Sequence, residues 1–271
     1  MFYILIFFIG IAIGSFLNVL IDRLPQEETI MGRSHCDHCK KDLAWSDLLP
    51  ILSYVYLGAQ CRYCGKKLSL FYPLVEVLTG VMFVFVVLRG VGDVRDLGGV
   101  NMGDAFLILH TQTMMLLALL GIVASVIVIF FSDLKYQIIP DSIQISLFAF
   151  SFLFIISRGI TPKIFLDQAV AAFVVMLPIL LVFSLTKGKG MGFGDVKLAF
   201  SMGFLLGIFA GFIALYIGFI TGALVGVVLL ILRKKKMKSE IAFGPFLVLG
   251  MLAMLFFEDQ VLRLVRQFFP F

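Results

Sequence analysis

Two aspartates stand where apolar runs of the chain meet polar sequence, and they are the first sign of chemistry. Asp195 follows Gly192-Phe193-Gly194 and opens a long apolar run, while Asp133 closes another, Met114 to Ser132. An ionisable group at the edge of hydrocarbon is costly, so acids there line a polar cavity, pair with something or react. Asp195 also has an ordinary use, because an Asp at a helix start accepts backbone N–H bonds and would cap a helix beginning at Val196. Asp133 resists that explanation, since the end of a helix presents its negative pole and disfavours a carboxylate. Two carboxylates that meet can divide the work of hydrolysis, one ionised and drawing a proton from water, the other protonated and polarising a carbonyl. Glycines 192 and 194 are expected to supply backbone conformations closed to other residues and to let a substrate chain come close. Lys197, two residues past Asp195, is placed to act on that acid or on a phospholipid. Pro140 and Asp141 read as a helix opening, proline suiting the first turn and the acid stabilising the positive end.

The second chemical signal is cysteine. Cys36-Asp37-His38-Cys39 is followed after 21 residues by Cys61-Arg62-Tyr63-Cys64, and these are all four cysteines of the chain. Two C-x-x-C knuckles at that separation suit tetrahedral thiolate zinc, and a loop this short can draw much of its folding energy from the metal. A pair of disulfides is the alternative, but a cytoplasmic loop is kept reduced. With four cysteine ligands there is no open coordination position, so the zinc is structural. His35 and His38 read as neighbours of the metal. Leu43, Trp45, Leu48, Leu49, Ile51 and Leu52, between the knuckles, are too apolar for an open loop and are expected to form a small core or to dip into the membrane interface.

The elements that must position these groups are membrane helices. Of 271 residues 61% are hydrophobic and 14% charged, which excludes an ordinary soluble domain. A span takes roughly 20 apolar residues. Such runs lie at 2–21, 72–88, 112–132, 142–157, 166–186, 196–210, 212–232 and 242–257, giving about eight transmembrane helices, with the sixth and eighth short and an outer turn at Ala210-Gly211. The fold class is therefore all-α polytopic, with helix 1 at 1–21, a small cytoplasmic zinc-binding loop domain at 22–71 and a polytopic domain at 72–271. No Lys or Arg precedes the first span and no small-residue cleavage site follows it, so it reads as an anchor with its N-terminus outside. Sixteen of the 22 Lys and Arg then fall on one side, in 22–71, at Lys135, in 187–197 and in 233–238. By the positive-inside rule that side, with both aspartates and the cysteine loop, is cytoplasmic. Arg233 to Lys238 serves as a topology signal that also touches anionic lipid, and the net charge of +5 requires no nucleic acid.

Within the spans, Ser15, Asn18 and Asp22 share one helix face and read first as interhelical hydrogen-bonding groups. Glu76, about a turn inside the second span, either snorkels to the surface or joins a second polar site with such groups. Gly203, Gly207 and Gly211, and Gly218, Gly222 and Gly226, recur every fourth residue and are expected to let helices pack backbone to backbone.

Taken together, Asp133 with Ile139-Pro140-Asp141 and Gly192-Phe193-Gly194-Asp195-Val196-Lys197 resemble the paired motifs of the type IV prepilin peptidases, membrane aspartyl proteases with a G-x-G-D signature. Gly14 to Val19 with Arg23 and Pro25, the two cysteine knuckles, Tyr72 to Glu76 and Phe243-Gly244-Pro245-Phe246 are similar to that family's other landmarks, in the same order. The resemblance implies an inner-membrane enzyme with two activities. One is cleavage of the basic leader of prepilins and pseudopilins beside a glycine, on the cytoplasmic side. The other is N-methylation of the exposed N-terminal residue, usually Phe, with S-adenosylmethionine as donor. It implies Asp133 and Asp195 as catalytic acids and Cys36, Cys39, Cys61 and Cys64 as zinc ligands. Gly192, Gly194, Lys197, Pro140 and Asp141 read as support of the catalytic loop, and Glu76, which matches the family's Glu without an assigned role, and Asn18 as a candidate methyltransferase or polar site. Many members carry glycine two residues before the third cysteine, a position tied to methylation; here it is Ala59. The competing readings are a G-x-G-D protease without methylation or with other substrates, and a proton- or cation-coupled transporter, which would leave the cysteine loop unexplained and would usually show internal repeats.

Overall fold

The computed structural model of the chain describes residues 1–36, 38–90, 102–232 and 242–268. Helices α1 (Phe2–Arg23), α2 (Leu52–Tyr56), α3 (Phe71–Gly90), α4 (Met102–Tyr136), α5 (Asp141–Ser157), α6 (Pro162–Thr186), α7 (Phe193–Leu206), α8 (Ile208–Ile231) and α9 (Gly244–Phe268) follow in order. Among the described residues there is no strand, only two isolated bridges, His35 with Asp42 and Gln60 with Lys67. Among the described residues six helices are long and apolar enough to cross a membrane: α1, α3, α4, α6, α8 and α9. Among the described residues α5, of 17 residues, is a shorter apolar helix, and α7 has 14 residues. The last apolar run opens α9, whose backbone is non-helical at Phe257, where that run was expected to end, and the fourth run forms a short helix of 17 residues. Arg233 to Lys238 lies outside the described residues.

Two compact units form, Met1–Val128 and Ile129–Phe271. In the first, α1 packs along α3 at the distance that glycine allows. A Cβ at Gly10 would sit 2.7 Å from Gly80 Cα, and one at Gly14 would sit 2.7 Å from Glu76 Cα. The glycines thus bring α1's polar face against the start of α3, the arrangement small residues give membrane helices.

In the second unit α7 is the centre, packed by α5, α6, α8 and α9. Nine of its fourteen residues are buried, Asp195 among them. The break between α7 and α8 falls at Gly207, whose φ of 83° is open to glycine, and not at Ala210-Gly211 as the sequence led us to expect. Gly203 and Gly211 serve packing: added Cβ atoms would meet Ala171 O at 2.6 Å and Val175 Cγ2 at 2.7 Å on α6. A glycine that turns the chain and one that admits a neighbouring helix look alike in sequence; the backbone angle separates them. α7 is a short helix inside a cage of longer ones, and the cage holds Asp195 in its first turn.

Candidate functional site

Asp133 occupies the last turn of α4 and is 6% exposed; Asp195 is the third residue of α7 and is 7% exposed. Each commits one oxygen to a glycine N–H. Asp133 Oδ2 accepts from Gly244 at 2.9 Å, the first residue of α9, and Asp195 Oδ2 accepts from Gly192 at 3.1 Å, closing the turn that starts α7. The helix therefore begins at Phe193, not Val196, and Asp195 caps it from inside the first turn. A carboxylate that caps its helix with one oxygen is held in place with its other oxygen outside that bond, so capping and chemistry are compatible uses of the same side chain.

Ile139 marks the place where these pieces converge. A Cβ at Gly194 would meet Ile139 Cβ at 3.1 Å, and a Cβ at Gly244 would meet Ile139 Cδ1 at 3.2 Å and Asp133 Oδ2 at 2.8 Å. The Asp133 and Asp195 carboxylates lie close enough to interact electrostatically. Gly192 and Gly194 do not use left-handed backbone, which corrects the expectation of special torsion angles. Gly194 serves by size, because an added Cβ would press on the Ile139 side chain.

Pro140 precedes α5 and Asp141 is its first residue. Lys197 pairs with the Asp141 carboxylate and stands 5.1 Å from the Phe193 ring centroid, so its partner is Asp141 and not Asp195. Both side chains are well exposed and the pair is worth about 0–1 kcal/mol. One residue the sequence reading passed over is Gln144. Its Nε2 donates to Gly194 O at 2.8 Å, fixing the turn before Asp195, and its buried Oε1 has no partner among the described residues. The available signal was a lone amide one turn into an otherwise apolar helix.

The four cysteines come together as expected. Their sulfurs all lie within 4.8 Å of one another, with Cys36 Sγ and Cys64 Sγ 3.9 Å apart. A tetrahedron with Zn–S bonds of ~2.3 Å has an edge of about 3.8 Å, so the donor set fits a tetrahedral thiophilic metal. The two knuckles have matching folds: Cys36 N–H bonds Lys41 O and Lys40 N–H bonds Cys36 O, while Cys61 N–H bonds Lys66 O and Gly65 N–H bonds Cys61 O. Backbone N–H groups of Tyr63 and Cys64 aimed at its sulfur bring the Cys61 thiol down to about 7, favouring the thiolate a metal requires. Neither His35 nor His38 belongs to the cluster. The apolar residues between the knuckles do not make a core. Trp45 is 86% exposed, and Leu49 and Leu52 are exposed with it.

Between α1 and α3 runs a polar seam. Asn18 Nδ2 donates to Tyr72 O at 3.1 Å and Tyr72 Oη to Asp22 Oδ2 at 2.9 Å, and Ser15 lies beside Glu76. Glu76 does not snorkel. It is buried, and its Oε2 accepts the N–H of Ile51, from the loop between the knuckles, at 2.8 Å.

Comparison with known proteins bears on this arrangement. Residues 8–90 match the family described as the bacterial peptidase A24 N-terminal domain, and residues 119–227 match the type IV leader peptidase family. A prepilin leader peptidase/N-methyltransferase of Klebsiella pneumoniae is 34% identical over 214 residues, covering 74% of this chain and 84% of that protein. One from Aeromonas hydrophila is 31% identical over 290 residues, covering 97% and 93%, and one from Neisseria gonorrhoeae is 29% identical over 286 residues, covering 95% and 91%. No solved structure matches.

Proposed function

This chain belongs to the type IV leader peptidase family, and from that premise we propose that it is a prepilin leader peptidase and N-methyltransferase whose hydrolytic acids are Asp133 and Asp195. The observation that carries the assignment of the acids is the convergence of α4, α7 and α9 on Ile139, which leaves two buried carboxylates interacting, each tethered by one glycine N–H.

In the proposed reaction, one carboxylate is ionised and takes a proton from water as the water adds to the scissile carbonyl. The other, protonated, donates to that carbonyl and then supplies the proton the leaving amine needs. No covalent intermediate is required. Gln144 and Gly192 hold the α7 turn, and Gly244 holds Asp133, so the acids need little reorganisation when substrate arrives. Pro140, Asp141 and Lys197 brace the start of α5 against the first turn of α7.

Eight helices, α1 and α3 to α9, are assigned to the bilayer, with α5 and α7 as the short pair and the N-terminus outside. Both acids and the loop domain 22–71 then face the cytoplasm of a bacterial inner membrane, and residues 72–271 form the protease domain. A prepilin or pseudopilin whose apolar helix lies in lipid and whose basic leader lies in the cytoplasm would bring its junction to the depth of the acids. Cys36, Cys39, Cys61 and Cys64 would hold zinc, supplying fold to the loop rather than catalysis. S-adenosylmethionine supplies the methyl group.

The test is mass spectrometry of a prepilin peptide incubated with the purified, lipid-reconstituted protein, with and without S-adenosylmethionine. The expected products are a leader cut beside its glycine in both cases and a methylated new N-terminus only with the donor. A correctly folded protein that cleaves no such leader would overturn the assignment.

A further inference from the structure

The seam between α1 and α3 is unbalanced in a way a structural seam need not be. Asn18 is 6% exposed, and its Oδ1 accepts no hydrogen bond among the described residues. The orientation of its amide is set by the Tyr72 carbonyl, which can only accept, so Nδ2 faces Tyr72 and Oδ1 faces away. One turn back on α1, Ser15 lies beside the Glu76 carboxylate, and Glu76 is itself buried, with no cation in ion-pair contact among the described residues. The seam thus holds a carbonyl oxygen with no partner among the described residues and a carboxylate with no cation beside it there, and both are costly to bury.

The loop reinforces the arrangement. Ile51, which gives its N–H to Glu76 Oε2, does so from φ 60°, a conformation unusual for a β-branched residue. What would balance the inventory is a compact cation carrying several N–H donors. A primary ammonium has one charge and three donors, and cleavage of a leader creates one at the new N-terminus.

We propose that Glu76 and Asn18 form the binding site for that N-terminal ammonium, and that Glu76 is the base that frees it for methyl transfer. The inference rests on the methyltransferase reading above. Glu76 takes one proton from the ammonium, leaving a neutral amine whose lone pair is available, while Asn18 Oδ1 accepts an N–H and fixes its direction. The N–CH3 bond forms as the S–CH3 bond of the sulfonium donor breaks, its electron pair remaining on sulfur as a neutral thioether. The product is a secondary ammonium, its charge inherited from the donor, and Glu76 returns its proton to water.

The test uses the full chain in lipid and a pre-cleaved pilin peptide, either with a free N-terminal amine or N-acetylated. The wild type is expected to bind the free amine about 10- to 100-fold more tightly than the acetylated form, the range for hydrogen bonds to charged groups. Glu76→Gln keeps an acceptor for Ile51 and the side-chain volume. It is expected to erase that preference and to lower methyl transfer by at least about 100-fold, while leader cleavage, which depends on Asp133 and Asp195, reports folding. Asn18→Leu should lose preference in the same direction.

A wild type that binds both peptides equally, or a Glu76→Gln protein that keeps the full preference and transfer rate, overturns the inference. If the wild type prefers the free amine but transfers no methyl group, the methyltransferase reading fails and the ammonium site stands. Should Asn18→Leu lose cleavage as well, it has misfolded and Glu76→Gln alone decides.

Discussion

The two units hold their reactive groups by different means. In Ile129–Phe271 the acids are fixed by packing: a short helix caged by longer ones, glycine N–H groups on each carboxylate, and no room at Gly194 or Gly244 for a side chain. In Met1–Val128 the cysteines sit on two small knuckles whose loop leaves Trp45, Leu49 and Leu52 exposed and has little core of its own. Position is supplied by surrounding helices where apolar packing is dense, and in the cysteine loop it would come from the metal that the four thiols could bind.

Stripping the metal should therefore divide the molecule most sharply. Structural zinc contributes on the order of 10 kcal/mol to small domains that depend on it. With a strong chelator, the four thiols are expected to become alkylatable and residues 22–71 open to protease, while α6 to α9 stay resistant. Mass mapping of alkylation and cleavage checks this, and a loop that stays protected would remove the contrast.

One and the same substitution can then be made in both units. Gly244→Ala puts a methyl group 2.8 Å from Asp133 Oδ2 and should cut leader cleavage by about 100-fold, the scale of a displacement near 1 Å at a reacting group. Gly14→Ala presses on Glu76 Cα and should instead lower methyl transfer to pre-cleaved peptide, with cleavage rates measured alongside as control. Smaller still is Lys197→Met, which removes one exposed ion pair and should leave the cleavage rate within about threefold. The least effect is expected for Ala59→Gly. Ala59 lies at φ 60°, where glycine is at ease, so the change should stabilise the loop by about 0.5–1 kcal/mol, read from the chelator concentration that opens it.

Much of this was legible in the sequence because it rests on local signals. Apolar runs fixed the helices, C-x-x-C spacing brought the thiols together, and the expense of an acid beside hydrocarbon singled out Asp133 and Asp195. What was not legible depends on partners far apart in the chain. Gly244 reaches Asp133 across 111 residues and Gln144 reaches Gly194 across 50, and nothing near either residue announces its partner. Gly192 and Gly194 were read for torsional freedom, yet Gly194 serves by leaving space. Gly207 was read as part of a packing stripe, yet it makes the turn. In each case residue type was informative and its use was decided by the neighbouring helix. Lys197 is expected from sequence to act on Asp195 or on a phospholipid, whereas the fold carries it to Asp141.

The central claim is that Asp133 and Asp195 act as one unit, and a double-mutant cycle on leader cleavage tests it most directly. Rates would be measured by mass spectrometry for the wild type, Asp133→Asn, Asp195→Asn and the double variant in lipid. Each single change is expected to cost at least about 100-fold, and the double change little more than either alone, as for groups that share one step. Full activity in either single variant, or losses that multiply in the double, would contradict the account.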